Sequence, residues 1–395
     1  MSRVVRVVVV GGGYAGVMSA NRLSGRRVGQ ARVQVALVDP GARFTERIRL
    51  HQVAAGTRAS AGVAWAHVLH PDVERVQDRV VGIDAAARSV ATGRGGPLGY
   101  DHLVYAVGSG EVPTALSSVT SPSAAAATRE EISGLAPGAS VTVVGAGATG
   151  VEVACAVALA RADLEVGLVT ASPLTTPLRR PAVAGRLRRL GIGVEVGVVD
   201  PVTGVVSTAG GRRAAASATI WTAGLAVPRL AAASGLPTTG DGRLVVDATL
   251  TVRGHERVVA AGDAAAVDDP TAAHLRMSCA AAIPLGAHAA DTVLARIRGA
   301  AAPRVDVGFL LQCLDLGGGH GHAQVVRPDD GDRWGARAGV GGHLGGAVKE
   351  RVCAMTLAWL AREARRPGSY RWPRGPRPSA PGAGRAEDGA RRLLG

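Results

Sequence analysis

The chain carries two kinds of hydrophobic pattern that repeat in the same order. Twice, a short run of β-branched residues, suited to a strand buried on both faces, breaks at a glycine turn. It then resumes as small and apolar residues at helical spacing, in VVVVGGGYAGVMSANRL at 7–23 and VTVVGAGATGVEVACAVAL at 141–159. Each stretch predicts a strand, a tight turn and a helix. A second strand-like run comes after each, VQVALV ending at Asp39 and LEVGLV ending at Thr170. Farther on, GFLLQCLDLGGGHGHAQVV predicts two strands joined by a glycine loop, and AVKERVCAMTLAWLAREARR a helix with apolar positions near i, i+3, i+4 and i+7. SPSAAAATREE reads as a connector before a helix start. The N-terminal apolar run reads as a strand rather than a leader peptide, because Arg6 interrupts it and the glycine turn comes at once. No uncharged apolar stretch approaches the roughly 18 residues that a bilayer span requires. The VCAMTLAWLA run at 352–361, bounded by Arg351 and Arg362, suits a packed or surface-lying helix.

Both turns spell Gly-x-Gly-x-x-Gly, with Gly11, Gly13 and Gly16 in the first and Gly145, Gly147 and Gly150 in the second. The first glycine makes the turn, the second lets a pyrophosphate approach the backbone, and the third lets helix pack on strand, so that the helix N-terminus faces the phosphates. One such motif is weak evidence. Two in matching strand–turn–helix context predict two dinucleotide sites. They differ at the end of the next strand. Asp39, 23 residues beyond Gly16, can accept hydrogen bonds from ribose hydroxyls, whereas Thr170, 20 residues beyond Gly150, is no acid. The second site has therefore lost the carboxylate that favours NADH over NADPH. Arg179 and Arg180 lie a little further on and fit either contact with a 2′-phosphate or a plain surface role.

Composition narrows the picture only in part. The 395 residues suggest two or three domains, and with 47% hydrophobic but only 3% aromatic residues their cores must be filled by Val, Ala, Leu and Ile. Lys349 is the only lysine among 45 basic residues. The net charge of +14 favours anionic partners, but much of it is local: from residue 360 onward nine arginines face three acids. Residues 373–395, without apolar periodicity, read as a disordered basic tail. Cys155, Cys279, Cys313 and Cys353 are scattered with no CxxC, so neither a zinc site nor a redox disulfide has its expected spacing, and reduced thiols in a cytoplasmic protein are the expectation. His320 and His322 lack an accompanying carboxylate or cysteine cluster and read as a loop, with no metal expected.

Three further segments, YDHLVYAVGS at 100–109, WTAG at 221–224 and RVVAAGDAAAV at 257–267, join the two turns in an order and spacing that resembles the FAD-dependent pyridine nucleotide oxidoreductases with two dinucleotide-binding domains. The resemblance covers residues 1 to about 370 and is greatest to the branch of type II NADH dehydrogenases and apoptosis-inducing-factor-like proteins. It implies an α/β fold with two Rossmann-like three-layer domains. The FAD domain would comprise 1–110 and 240–302, the NAD(P)H domain would be inserted at 111–239, and a small α+β C-terminal domain would span 303–372. It further implies that the flavin side is contacted by Gly11, Gly13, Tyr14, Ala15, Gly16, Asp39, Arg49, Val80, Ala106, Gly108, Gly262 and Asp263. The NAD(P)H side would be contacted by Gly145, Gly147, Gly150, Glu152, Thr170 and Gly224. Within this set Asp263 would bind the flavin ribityl region, and Glu152, which residues alone would make an exposed helical acid, would lie near the nicotinamide.

The resemblance also frames the acceptor. FTERIRLHQVAAG, where disulfide reductases carry a CxxxxC pair, has no cysteine, and SCAAAIPLGAHAAD has Ala280 and Pro284 where the quinone motif of type II dehydrogenases has glutamines. A quinone or another small acceptor is the expectation that remains. Lys349 is expected either near the flavin pyrimidine, where a cation stabilises anionic reduced flavin, or as an exposed helix residue. His51 fits either a proton relay to the acceptor or a core histidine. The C-terminal helix and the arginines after it fit a peripheral contact with the inner face of an anionic membrane, a homodimer interface, or packing within the chain. A competing reading makes the protein a redox-responsive flavoprotein whose basic surface binds nucleic acid or a protein, although no nucleic-acid-reading module is recognisable.

Overall fold

In the computed structural model, which describes residues 3–110, 114–173, 175–335 and 337–377, strand Val4–Val10 lies inside a nine-stranded sheet. It runs parallel between Ala31–Val38 and His102–Tyr105, with Val10 opposite both Val38 and Tyr105. His255–Ala260 pairs parallel outside His102–Tyr105. Val7, Val8 and Val9 are wholly buried, which accounts for the unbroken valine run: a central parallel strand has no solvent face to mark by alternation.

The second sheet repeats the arrangement. Ser140–Val144 runs parallel between Glu165–Thr170 and Ala218–Trp221, with Val144 opposite both Val169 and Trp221. Gly193–Val199 extends this seven-stranded sheet towards two antiparallel strands. Strands of the first sheet come from residues 4–105 and 244–267, and those of the second from 117–221. Each sheet has its own apolar core, so each glycine turn sits on a separately packed platform. This is the α/β, twice-Rossmann-like architecture expected.

Leu311–Asp315 and Gly321–Val325 form the antiparallel hairpin read from the sequence, and Gly317, Gly318 and Gly319 in its loop all have positive φ. Helix Gly342–Arg365 packs on the hairpin, with Gly345 and Gly346 close against Gly319 and Gly321, and buries Lys349, Cys353, Thr356, Leu360 and Glu363 along its length. The helix starts at Gly342, seven residues before Lys349 and ahead of the apolar pattern, because its first turn, Gly342, His343, exposed Leu344 and Gly345, has no apolar periodicity to mark it. Its far end is fixed to the first-turn helix Tyr14–Leu23: Asn21 donates to the Leu360 carbonyl at 3.0 Å, and buried Glu363 accepts from Arg22 at 3.1 Å. Packing within the chain therefore occupies this face.

Two local expectations change. The helix Pro122–Gly134 begins inside the SPSAAAATREE connector, since Ser121 caps it by accepting from the Ala124 N–H and Pro122 sits in its first turn. Residues 373–377, assigned by composition to the tail, lie along the first domain instead, where the Gly308 N–H donates to the Pro373 carbonyl and the Gly375 N–H to Asp306. Residues 378–395 of that tail lie outside the described residues. Among the described residues, no helix is long and apolar enough to cross a membrane.

Candidate functional site

The two turns superimpose in their constraints. Gly11 has φ +101° and Gly145 φ +102°, a region L side chains rarely adopt. A Cβ on Gly16 would lie 1.8 Å from the Gly11 carbonyl oxygen, and one on Gly150 1.7 Å from the Gly145 oxygen, so only glycine lets either helix approach its turn. Around Gly13 and Gly147, by contrast, a Cβ would meet nothing within 4 Å; that space is open. Both residues cap their helices without a side-chain bond, whereas Ser121 and Ser278 cap Pro122–Gly134 and Cys279–Ile297 through hydroxyls. The chain thus leaves the amide ends of the two glycine-turn helices uncapped, and both open on the same space. Unsatisfied N–H groups at a positive helix end fit a pyrophosphate.

That space is a chamber of about 660 Å³. Its first half is lined by Gly11, Gly13, Tyr14, Ala15, Asp39, Arg79, Ala106, Gly108, Gly262 and Asp263, its second half by Ala148, Thr149, Glu152, Trp221 and Gly224. The Asp39 carboxylate accepts from the Gly12 N–H at 2.7 Å and the Gly41 N–H at 2.8 Å, which fixes it at the strand end facing the chamber. Asp263 accepts from the Ser109 hydroxyl at 2.7 Å, and Arg47 donates to the Ser109 carbonyl at 2.8 Å. Burial holds the Arg47 guanidinium below its ordinary pKa, against the opposing field of Asp263. A desolvated cation lining the chamber beside Asp263 suits an electron-rich ligand, and no sequence motif singles it out.

Where the two halves meet, the Lys349 ammonium donates to Glu152 Oε1 at 2.7 Å, both side chains being about nine-tenths buried. Burial alone would depress the lysine, but Glu152 outweighs it and holds the ammonium well above its usual range. Glu152 is therefore not the exposed helical acid its local sequence suggests, and Lys349 is not an exposed helix residue. His51, 4% exposed, lines the chamber beside them; its Nε2 lies 3.0 Å from Asp315 Oδ2 and its Nδ1 3.9 Å from Glu152 Oε2. Although burial would raise the Asp315 carboxyl, His51, the Gly317 N–H and Gln52 together hold it below the usual carboxylate range.

Several predicted contacts lie elsewhere. Arg49 turns away, donating to both Glu350 oxygens at 2.5 and 2.6 Å and to Glu46 at 3.3 Å, because a buried guanidinium needs acids and these are the nearest. Val80 is buried in the first core, and its neighbour Arg79 faces the chamber instead. Thr170 donates its hydroxyl to the Ser172 carbonyl, within the turn after its strand. Arg180, 1% exposed, pairs with Gln312 and Asp332, so it belongs to the hairpin contact rather than to the surface or a ribose phosphate; Arg179 lies half-exposed near the same Asp332. His320 packs on His343, while His322 is buried on its strand. Among the described residues no group of three potential ligands could hold a metal. All four thiols are free; Cys279 and Cys313, distant in sequence, both line the chamber, but burial pushes Cys279 up to about 11 and raises Cys313, which keeps them protonated.

Two platforms presenting uncapped helix ends to one chamber define a class: proteins that hold two dinucleotides face to face. The chain belongs to the pyridine nucleotide-disulphide oxidoreductase family, whose profile matches residues 5–286. It is 33% identical over 352 residues to an NADH dehydrogenase-like protein of Mycobacterium tuberculosis, covering 79% of this chain and 86% of that one. It is also 28% identical over 297 residues to ferroptosis suppressor protein 1 of Xenopus tropicalis, covering 68% and 76%. In fold it matches a sulfide:quinone oxidoreductase of Aquifex aeolicus (TM-score 0.74, 18% identity, 91% of this chain and 92% of that one). NDH2 of Plasmodium falciparum matches similarly (TM-score 0.73, 14% identity, 91% and 96%). The cofactors are FAD and NAD(P)H, and the chemistry is NAD(P)H-driven flavin oxidoreduction.

Proposed function

We propose that this chain is an NAD(P)H dehydrogenase that passes its electrons to a quinone or another small two-electron acceptor. FAD, when bound, supplies the chemistry, taking a hydride from the nicotinamide and giving electrons to the acceptor. The protein's work is placement. Gly13 and the amide end of Tyr14–Leu23 take the FAD pyrophosphate, Asp39 takes the adenosine ribose, and Asp263, steadied by Ser109, takes the ribityl chain. The Ala148–Ala160 helix end takes the donor's pyrophosphate.

The single observation that carries this reading is the buried Glu152–Lys349 pair at the junction of the two halves. A cation held permanently charged there stabilises negative charge that develops during hydride transfer, and Glu152 keeps that cation in place. Donor choice depends on the second turn. It offers no acid at Thr170 to repel a 2′-phosphate, and Arg180 is locked into the hairpin and cannot attract one, so NADH and NADPH are used within about tenfold of each other. Anaerobic mixing of the yellow protein with each donor tests this. Flavin bleaching by both, reversed by a soluble quinone, is the expected result; flavin that neither donor reduces contradicts it.

A further inference from the structure

A second cavity, of about 380 Å³, lies behind the Glu152–Lys349 pair. Gln52, Arg58, Asp315, the Gly317–Gly319 turn and Glu350 line it, and Lys349 faces both it and the cofactor chamber. Between the two spaces stands His51, with one ring nitrogen 3.0 Å from Asp315, which faces the second cavity, and the other 3.9 Å from Glu152, which faces the chamber. We propose that His51 is the proton donor to the acceptor in the chamber, and that Asp315 is the positioning residue that holds its ring.

The proposal rests on the reading that the acceptor takes up protons, as a quinone does. The balance then fixes what is needed. NAD(P)H, one proton and a quinone give NAD(P)+ and a hydroquinone: the hydride supplies two electrons and one proton, and one further proton must reach the quinone. His51 gives up the proton on Nδ1, is left neutral, and regains a proton from solvent before the next turnover. The carboxylate of Asp315 accepts from Nε2–H and so leaves Nδ1 directed towards Glu152 and the chamber; the Gln52 amide and the Gly317 N–H hold that carboxylate in turn. The charged groups nearest the ring are Asp315 on the hairpin, Glu152 on Ala148–Ala160, Lys349 and Glu350 on the long helix, and Arg49 and Arg58 on its own segment; helix Pro122–Gly134, also packed on that segment, brings Arg129 against Gly56. Glu350 is taken up by Arg49, and Glu152 by Lys349. Asp315 has no cation partner but His51 among the described residues.

The test compares a quinone, which consumes protons, with ferricyanide, which takes electrons alone. For His51→Gln the ratio of quinone to ferricyanide turnover should fall about 100-fold, and for Asp315→Asn about tenfold, with added imidazole restoring much of the former loss. A second measurement needs no turnover: the ¹H–¹⁵N ring spectrum of the whole protein should show a hydrogen-bonded proton on His51 Nε2 that is lost in Asp315→Asn. Equal falls with both acceptors, or an unchanged ratio, would overturn the proposal and leave His51 a packing residue. A wild type that reduces ferricyanide but no quinone removes the acceptor reading and this proposal with it, while the donor half stands; one that reduces neither removes the function itself.

Discussion

The two glycine turns are almost the same object in backbone terms and serve unlike ends. Their first glycines differ by one degree in φ, and their third glycines by 0.1 Å in how closely the turn carbonyl approaches. The contrast lies at the end of the neighbouring strand. Asp39 is braced by two amides and surrounded by Arg43, Trp65 and the Arg75 guanidinium stacked on that ring, whereas Thr170 satisfies itself within its own turn. On the function proposed above, the backbone would seat a pyrophosphate in either case, and the strand end would decide whether the ligand is gripped by its ribose or left exchangeable. That division suits a resident flavin in the first seat and a passing hydride donor in the second.

The comparison can be broken most severely at the first seat. In Gly11→Ala the new methyl would lie 2.4 Å from the Ala106 oxygen at a φ of +101°. A strain of about 3 kcal/mol at a ligand seat should leave the purified protein nearly colourless, read as its flavin absorbance relative to protein absorbance. Lys349→Met comes next. It strands a buried carboxylate and should lower stability by about 3 kcal/mol in urea unfolding, with the double variant Lys349→Met/Glu152→Gln recovering part of the loss. Thr170→Asp restores the missing acid and should raise KM for NADPH about tenfold while changing NADH less, since only the former brings a 2′-phosphate against the carboxylate. The smallest effect concerns acid. Asp315 has a depressed carboxyl pKa, so its contribution is fully present above about pH 4, its unfolded value, and is lost as pH falls below that. Thermal midpoints of Asp315→Asn should therefore decline less steeply than wild type between about pH 4 and pH 2.

Much of this was legible in the sequence where the cause is local. A glycine turn, the strand before it, the helix after it and the acid at the next strand end are fixed by neighbours in the chain, so Gly11, Gly13, Asp39, Gly145 and Asp263 read directly or through five short motifs. Contacts between distant segments were not legible. Glu152 and Lys349 are 197 residues apart, His51 and Asp315 264 apart, and nothing local says that they meet. Arg49 and Arg180 show the same limit: the sequence left Arg180 between a phosphate contact and the surface and put Arg49 beside the flavin, whereas each is held by an acid or amide on a remote element. Arg47 and Ser109 were missed because their significance lies in the chamber wall they build beside Asp263, which only the folded chain assembles.

The division of labour between the two seats is tested most directly by flavin content and anaerobic bleaching in Gly145→Ala. The substitution strains the second turn, where a Cβ would lie 3.0 Å from the Ala223 backbone, and leaves the first untouched. The account predicts a yellow protein that dithionite bleaches at once and that NADH and NADPH reduce at least tenfold more slowly than wild type, about the effect of 1.4 kcal/mol or more at the donor seat. A colourless protein, or one reduced by both donors at the wild-type rate, would contradict it.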